Sequence, residues 1–284
     1  MEITYTGDSG AALTLSPRKP YFLQKIDGTG NLRQAINTFR APEQDGAFYL
    51  SSSLEMRNIT LEGVIVGETV EEAFDARKRL LRAFTPKERG MLTFHDLQIP
   101  CVVEEAMLTV SNLARAPAFF ISLLCPSPFF EALDKTHAEI AAWLSGFHFP
   151  LEIPEDTGVE MGVRLLSQIV TVENDGDVPC GCTIVFTALG TLRNPELVNV
   201  HTGERLRLLV TMTAGETITV TTHFAGKRVV RISGGVESNA FSFVDAGSSF
   251  LQLQPGRNTL RYDADENMDA LEIRVMYRPL FLGV

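Results

Sequence analysis

Cysteine, histidine and glutamate residues form the most chemically suggestive pattern in the 284-residue sequence. A zinc deaminase needs His-x-Glu followed later by Pro-Cys-x-x-Cys, so that two thiolates and an imidazole converge on the metal. The chain offers His137 and Glu139, then Pro179, Cys180 and Cys182, and the second half is one residue short. Cysteines at i and i+2 of a strand point the same way and act as small apolar side chains. We therefore expect no zinc site and no metal cofactor, and stoichiometric zinc would overturn this.

Two acidic segments could bind calcium. Asp263, Asp265 and Asn267 begin like an EF-hand loop, but Met268 stands where the sharp turn needs glycine and Arg274 where a bidentate glutamate belongs. The stretch NDGD at 174–177 is a common turn sequence, because Asn and Asp tolerate left-handed backbone before glycine. Both segments are expected to be solvated turns.

Motifs of nucleophilic and phosphate chemistry are absent from the sequence. It contains no G-x-S-x-G, H-E-x-x-H, G-x-x-x-x-G-K-[ST] or G-x-G-x-x-G. The adjacent carboxylates of Glu104 and Glu105 would point to opposite faces of a strand, which excludes shared acid-base work. The residues thus favour a binding or structural protein over an enzyme.

Strand patterns dominate the elements that would position any site. In LEIRVMY (271–277), apolar residues alternate with Glu272, Arg274 and Met276, the period of a half-buried strand. The stretch APAFFISLLCP is too short to span a bilayer and predicts a fully buried strand. Pro255 and Gly256 suit the centre of a type II turn. Short strands at this spacing predict a mostly β protein with antiparallel sandwiches.

One amphipathic helix is predicted in TVEEAFDARKRLLRAFTP. Thr69 and Glu72 form a capping box, and Pro86 ends the helix. The residues predicted to face the core are Val70, Ala73, Phe74, Leu81 and Phe84. A charge at Leu81 or Phe84 should then unfold the domain. A second, weaker helix is predicted in KTHAEIAAWLSGF.

Composition and charge narrow the class of protein. The sequence is 45% hydrophobic and 21% charged, with a net charge of −10 that argues against binding the nucleic-acid backbone. Four scattered cysteines and an N-terminus without basic or apolar signal regions favour folding in a reducing cytoplasm. Strand-like alternation lapses after Phe130 and resumes near Ile169. We place the domain boundary near residue 140, giving domains 1–140 and 141–284.

The order and spacing of several blocks resemble the distal tail protein family of long-tailed, non-contractile bacteriophages over nearly the whole chain. The blocks of the first half are YFLQKIDGTGN, QDG, MRNITLEGVIVGE, RAFTPKERGMLTF and CPSPFF. Those of the second half are VENDGDVPCGCTIVF, NPELVNVHTGERLRL, TAGETITV, SSFLQLQPGRNTLRY and LEIRVMYRPLFLGV.

The resemblance implies a fold and a set of structural residues. The first domain would be a tail-tube-like β-barrel or sandwich with one helix, and the second a galectin-like β-sandwich. Asn174, Gly176, Asp177 and Pro179 would form a lead-in turn to a strand, with Cys180 and Cys182 at variable positions. The block that contains Pro255, Gly256 and Asn258 would be a second structural turn.

The resemblance also implies a role. The first domain would assemble with copies of itself into a six-membered ring at the virion tail tip, after synthesis in the host cytoplasm. This hub would join the tail-tube protein to tail-fibre, receptor-binding or baseplate proteins, with DNA passing through its lumen. It implies no cofactor, no membrane partner and no sequence-specific nucleic acid.

Three alternatives remain open at this point. A carbohydrate-binding module contacting the host cell wall would need exposed aromatic side chains and a polar cluster, whereas the single Trp, Trp143, lies at the domain junction. A tail-associated hydrolase would need an acid-base pair that the sequence does not reveal. The tube protein itself would form long tubes in place of defined rings.

Overall fold

The protein is described here by a computed structural model that covers residues 2–30, 32–109, 117–140, 143–145, 162–164, 169–224 and 226–284. The chain forms two compact units. The first unit is Met1–Asp134 with Leu280–Val284, and the second unit is Lys135–Pro279. The predicted boundary at residue 140 therefore falls inside the second unit, and most of 141–168 lies outside the described residues. The return of the last five residues to the first unit is a contact between distant segments, which no local pattern predicts.

The first unit is built from eleven strands among the described residues and one α-helix, α1 (Val70–Ala83). Its strands in chain order are β1 (Ile3–Gly7), β2 (Ala12–Leu15), β3 (Tyr21–Asp27), β4 (Gln34–Phe39), β5 (Phe48–Leu54), β6 (Arg57–Ile65), β7 (Arg89–Phe94), β8 (Leu97–Thr109), β9 (Ala118–Cys125), β10 (Phe130–Ala132) and, from the chain terminus, β25 (Leu280–Phe281).

Antiparallel pairing joins most of these strands into one sheet, in the order β2-β1-β7-β8-β9-β6-β3. Strand β10 pairs with β8 and with β25. Within the part of the unit that the structure describes, β4 and β5 pair only with each other, as a separate two-stranded sheet. The predicted buried strand is β9, in which Phe119, Ile121 and Leu123 face the core.

Helix α1 covers the core of the first unit. Ala76, Leu80 and Ala83 are buried, and the Phe84 ring after the helix end stacks on Tyr5 with centroids 4.4 Å apart. The Tyr21 hydroxyl donates to the Ala76 carbonyl over 3.0 Å. These contacts fix the rotation of the helix about its axis.

That rotation corrects the predicted helix face. Phe84 is buried, but Val70, Phe74 and Leu81 are exposed and lie on the outward side of α1. The prediction followed the largest apolar side chains, whereas the small Ala76 and Ala83 let the helix approach the sheet. The expectation that a charge at Leu81 unfolds the domain is therefore wrong.

The second unit contains strands and two short 3-10 turns in its described residues. Its strands are β11 (Thr136–Ile140), β12 (Trp143–Ser145), β13 (Gly162–Arg164), β14 (Ile169–Asn174), β15 (Cys180–Ala188), β16 (Leu192–Asn199), β17 (Arg205–Arg207), β18 (Thr211–Met212), β19 (Thr217–Thr221), β20 (Arg228–Ser233), β21 (Val236–Asn239), β22 (Gln252–Leu253), β23 (Gly256–Glu266) and β24 (Leu271–Tyr277). The 3-10 turns are Phe241–Phe243 and Met268–Ala270.

Two large antiparallel sheets make up most of the described part of this unit, and β12 and β13 pair as a separate two-stranded sheet. One has the order β11-β24-β15-β19-β20-β21 with β22 added to β15, and the other has the order β14-β23-β16-β17 with β18 added to β16. Strand β24 buries Leu271, Ile273, Val275 and Tyr277, as its alternation predicts. The prediction of a mostly β protein with two domains is confirmed. Among the described residues, no helix is long and apolar enough to cross a membrane.

The predicted second helix is wrong. Thr136–Ile140 is a strand whose backbone pairs with β24, in the register His137 opposite Met276, and Trp143–Ser145 pairs with Gly162–Arg164. Alanine has the highest helix propensity, but helix propensities are small, and an available sheet edge outweighs them.

Candidate assembly surfaces

The β4–β5 hairpin, residues 34–54, is the largest uncovered apolar feature of the first unit. A two-stranded hairpin is marginal in water unless something packs against it. Its apolar side chains and the adjoining Met56 are each between 39% and 64% exposed. They are Ile36, Phe39, Phe48, Tyr49, Leu50, Leu54 and Met56. Contiguous exposed apolar surface of this kind marks interaction sites.

Both faces of the hairpin are apolar. Phe39 lies opposite Phe48, and because side chains alternate along β4, Ile36 points to the other face with Thr38 and its partner Tyr49. The strands slip by one residue at Leu50, in a β-bulge. A hairpin that is apolar on both faces is suited to insertion between two surfaces. Sequence reasoning missed it, although FYLSSSL carries three consecutive large apolar residues.

The outward side of α1 is the second uncovered surface. Val70, Phe74 and Leu81 form a stripe along the helix, and the Lys78 ammonium lies 5.1 Å from the Phe74 ring centroid. Thr69 is the N-cap, and its hydroxyl accepts from the Glu72 backbone N–H over 3.2 Å. The Glu72 carboxylate accepts from the Glu68 N–H. A standard capping box would have it accept from the Thr69 N–H, so the observed bond lies one residue earlier in the chain. The cap holds the first turn of this stripe in place.

Arg57 is a buried cation that ties distant segments of the first unit together. Its guanidinium donates to the carbonyls of Gly28 and Thr29 over 2.7 Å, of Pro128 over 2.8 Å, and of Leu282. It also lies 4.8 Å from the Phe130 ring centroid. Burial lowers the pKa of Arg57. The contact anchors the chain terminus to the first unit.

Gly28 makes this arrangement possible. Its φ is +87°, and a Cβ there would lie 2.0 Å from the Asn58 carbonyl oxygen. Only glycine therefore lets this turn approach Arg57 and present its carbonyl.

The structure brings together the predicted structural residues of the second unit. Asn174 and Gly256 are cross-strand partners at the adjoining ends of β14 and β23, where the two turns meet. The buried Asn174 amide donates to the carbonyls of Val178 and Leu253, and its oxygen accepts from the Gly176 N–H. Asp177 is exposed in the same turn. The stretch 174–177 is thus a turn that is held by hydrogen bonds of the Asn174 side-chain amide.

Asn258 does the same for the second turn. Its amide donates to the carbonyls of Gln254 and Gly256, and its oxygen accepts from the Gln254 N–H over 2.9 Å. Gly256 has a φ of +80°, the value that the third residue of a type II turn requires, and Pro255 precedes it. The two asparagines therefore hold the turns at the adjoining ends of β14 and β23 through hydrogen bonds to the backbone, which is a structural role.

The other candidates for chemistry are not assembled into a site. Cys180 and Cys182 are buried in the core, and burial raises their pKa values to about 12 and about 11. His137, by contrast, shares the opposite face of the sheet with Met276 and Thr183. Across the described residues, no group of three or more His, Cys, Asp or Glu side chains could hold a metal.

The segment compared with an EF-hand, 263–274, joins the end of strand β23 to the start of β24, so the predicted turn is limited to 267–270. Asp263 and Asp265 both lie within the strand. The Asp265 carboxylate accepts from Asn194 over 2.7 Å and from Arg207 over 2.8 Å, and these contacts lower its pKa. Only Asn267, in left-handed backbone, begins a turn.

A cleft of about 360 Å³ lies beside strands β20 and β21 of the second unit. Phe241 lines it and stacks on Phe250 at 5.8 Å, and the Lys227 ammonium lies 4.9 Å from the Phe250 ring centroid. Asn239 also lines the cleft, whose wall is completed by Arg228, Val229, Val230, Glu237 and Ser238. An aromatic ring next to amide, hydroxyl and charged groups can bind a polar ligand.

Comparisons with known proteins cover both halves of the chain. Residues 9–125 match the family model described as phage tail protein RIFT-related domain, and residues 175–281 match that of the siphovirus-type tail component, C-terminal domain. No curated protein matches the chain in sequence.

Solved structures share the fold over the full length. The crystal structure of Dit (gp 19.1) of phage SPP1, described as a paradigm of the hub adsorption apparatus in phages that infect Gram-positive hosts, matches with a TM-score of 0.71. It is 13% identical, and 99% of each chain is covered. A chain of the phage P2 baseplate, in its activated conformation with calcium, matches over 100% of both chains with a TM-score of 0.51 and 10% identity.

The two family models agree in order with the two units of the structure, and both describe phage tail proteins. The blocks of sequence that resemble distal tail proteins fall in the same two regions. The chain belongs to the siphophage distal tail protein family.

Proposed function

We propose that this tail protein is a hub, in which six copies of the first unit close a ring between the tail tube and the receptor-binding or fibre proteins. The observation that carries the proposal is the β4–β5 hairpin, whose apolar side chains are exposed on both faces. Burial of that surface against other subunits would stabilise the assembly by roughly 25 cal/mol for each Å² of apolar area. The number six rests on the family resemblance.

Two further observations support the proposal. A head-to-tail ring needs two different surfaces on each subunit, and the first unit has both the hairpin and the α1 stripe. The net charge of −10 suits a lumen through which DNA passes without adhering. In this role the protein acts without cofactor or catalytic step, at the virion tail tip, after synthesis in the host cytoplasm.

Light scattering coupled to size-exclusion chromatography, with negative-stain images, tests the hub directly. We expect rings whose mass is six times that of the 31.3 kDa chain. Long tubes would favour a tube protein. A mass of one chain at every concentration, also in the presence of the neighbouring tail proteins, would contradict the proposal.

The cleft beside Phe241 favours carbohydrate binding by the second unit as an additional candidate function. Phe241 offers an exposed ring face, and Asn239 and Ser238 offer hydrogen-bonding groups beside it. The sequence analysis had named only the single Trp, Trp143, at the domain junction and had not identified this cleft. The ligand class would be a wall saccharide.

Pull-down of the full chain on purified host cell walls tests the second candidate. Saturable binding that Phe241→Ala weakens, and that the control Phe224→Ala in the exposed loop before β20 leaves unchanged, would support it. Equal binding by both variants, or none by the parent, would exclude this cleft.

A further inference from the structure

The outward stripe of α1 is unsuited to permanent contact with water. Val70, Phe74 and Leu81 are 59%, 54% and 41% exposed, at spacings that keep them along one side of the helix. The opposite side of the same helix carries the core contacts of Ala76 and Leu80. The stripe is therefore an apolar surface that the fold of one copy leaves uncovered.

Cations border the stripe and make it unusual in this acidic chain. Residues 77–89 contain six of the 25 Lys and Arg residues but one carboxylate, Glu88. Lys78 and Arg82 are exposed next to Phe74 and Leu81, and Lys78 also pairs with the exposed Asp75 carboxylate over 3.7 Å. The remainder of the chain is correspondingly more acidic than its net charge of −10 indicates. The surface is thus suited to a partner that is both apolar and acidic.

The β4–β5 hairpin has both properties. Its uncovered apolar side chains include Ile36 and Tyr49, on one face. Exposed carboxylates flank it, with Glu43 and Asp45 in the connecting turn and Glu55 at the base. Its one arginine, Arg40, donates to the Gln44 carbonyl within the same turn, and the exposed Arg33 lies at the base beside Glu55.

The two surfaces also match in length. Helix α1 has 14 residues, about 21 Å at about 1.5 Å per residue. Strands β4 and β5 have 6 and 7 residues, roughly 20–23 Å at about 3.3 Å per residue. The hairpin can therefore cover the stripe from end to end.

We propose that the β4–β5 hairpin of one copy lies along the α1 stripe of the next copy. Ile36 and Tyr49 pack against the apolar stripe, and the carboxylates of the hairpin turn face Lys78 and Arg82. Because hairpin and stripe are different surfaces of one unit, each copy gives one contact and receives another, which is the head-to-tail contact that the proposed ring needs. This inference rests on the proposed ring and names the surfaces that form it.

A mixing experiment tests the pairing. The stripe variant combines Phe74→Asp with Leu81→Asp, and the hairpin variant combines Ile36→Asp with Tyr49→Asp. Phe224→Asp, at a fully exposed phenylalanine of the second unit, is the matched control. We expect the parent and the control to form rings and each variant alone to be a monomer. A mixture of the two variants keeps one intact hairpin and one intact stripe, so it should form heterodimers and no rings.

A charge exchange provides an independent check that leaves the apolar contact intact. Lys78→Glu with Arg82→Glu should lose ring formation at low salt, and Glu43→Lys with Asp45→Lys in the same chain should restore it. Near-ultraviolet circular dichroism confirms that every variant keeps the parent fold.

The outcomes separate this inference from the proposed function. If the stripe variant forms rings as well as the parent does, the ring stands and the stripe is not its acceptor. If both variants are monomers but their mixture yields no heterodimer, hairpin and stripe are not partners. If the parent itself never forms rings, the ring proposal fails and the pairing fails with it.

Discussion

The two units differ in what they leave uncovered. In the first unit the exposed large apolar side chains are concentrated in the β4–β5 hairpin and along α1. In the second unit they are dispersed over separate elements, such as Ile169, Leu189 and Val200. Single exposed apolar residues are normal on protein surfaces, whereas contiguous sets mark interaction sites. The difference agrees with the proposed function, in which the first unit supplies the surfaces that join copies of the chain.

The two units also differ in how they bury charge. Arg57 of the first unit is satisfied by backbone carbonyls of three distant segments, including the chain terminus. Glu216 of the second unit is satisfied by side chains nearby, with Arg231 at 2.7 Å and Ser233 at 2.6 Å. The first charge joins segments that are far apart in sequence, and the second stabilises a local sheet.

The largest effect is expected from Leu80→Asp, which tests the inner side of α1. Leu80 is fully buried, and an unpaired charge in its place should cost several kcal/mol and unfold the first unit. The neighbouring Leu81→Asp is the matched control, because Leu81 is exposed in a single copy. In the monomeric hairpin variant, where no ring contact can be lost, it should change the free energy of unfolding by about 0.5 kcal/mol or less. Thermal melts by circular dichroism distinguish the two. Equal destabilisation would mean that the assigned sides of α1 are wrong.

Arg57→Met should have the next largest effect. It keeps much of the side-chain volume but leaves four partly buried carbonyls without their donor, at about 1–3 kcal/mol for each group that water does not reach. Limited proteolysis should then remove the terminal residues 280–284 faster than in the parent. An unchanged cleavage rate and melting temperature would show that the terminus is held by other contacts.

Glu216 should make the second unit sensitive to acid. Desolvation raises its pKa, but hydrogen bonds from Ser233 and the Thr213 N–H, together with Arg231, outweigh it and hold the pKa at about 2. A carboxyl whose folded pKa is depressed stabilises the fold above its ordinary value of 4.5, and loses this contribution as the pH falls from there towards 2.

The parent should therefore lose more stability between pH 5 and pH 2 than Glu216→Gln does, relative to each protein at pH 7. Differential scanning calorimetry across this range measures the difference. Parallel curves for the two proteins would show that Glu216 does not cause the acid sensitivity of the second unit.

Thr69→Ala should have the smallest effect of the series. The loss of an N-cap costs about 1 kcal/mol. The hydrogen bond from the Glu72 N–H to the Thr69 hydroxyl lies at the exposed start of α1, where water can replace it. Thr69→Ser keeps the hydroxyl and serves as the control. Chemical denaturation that gives the same midpoint for both variants would mean that the cap contributes nothing.

Sequence patterns predicted the elements better than their contacts. The alternation in β24 and the capping residues Thr69 and Glu72 are local signals, and the structure has them where the sequence places them. The burial of Leu80 in place of Leu81 depends on which side of the helix meets the sheet, and periodicity alone did not decide between adjacent stripes. Likewise, 136–140 became a strand because β24 offered an edge.

The assembly surfaces were the least predictable part. The hairpin at 34–54 contains residue types that are typical of a buried strand, such as Phe48 and Leu50, yet the structure exposes them. A sequence pattern indicates that such residues will be covered, but not whether the cover comes from the same copy. The role of Arg57 was similarly hidden, because its partners come from segments up to 225 residues away.

The mass of the full chain in solution tests the central claim, that the first unit exists to join copies of itself. Light scattering should give six times the mass of one 31.3 kDa chain for the parent. The hairpin variant with Ile36→Asp and Tyr49→Asp should give the mass of one chain, with the near-ultraviolet circular dichroism spectrum of the parent. Equal masses for parent and hairpin variant would contradict the account.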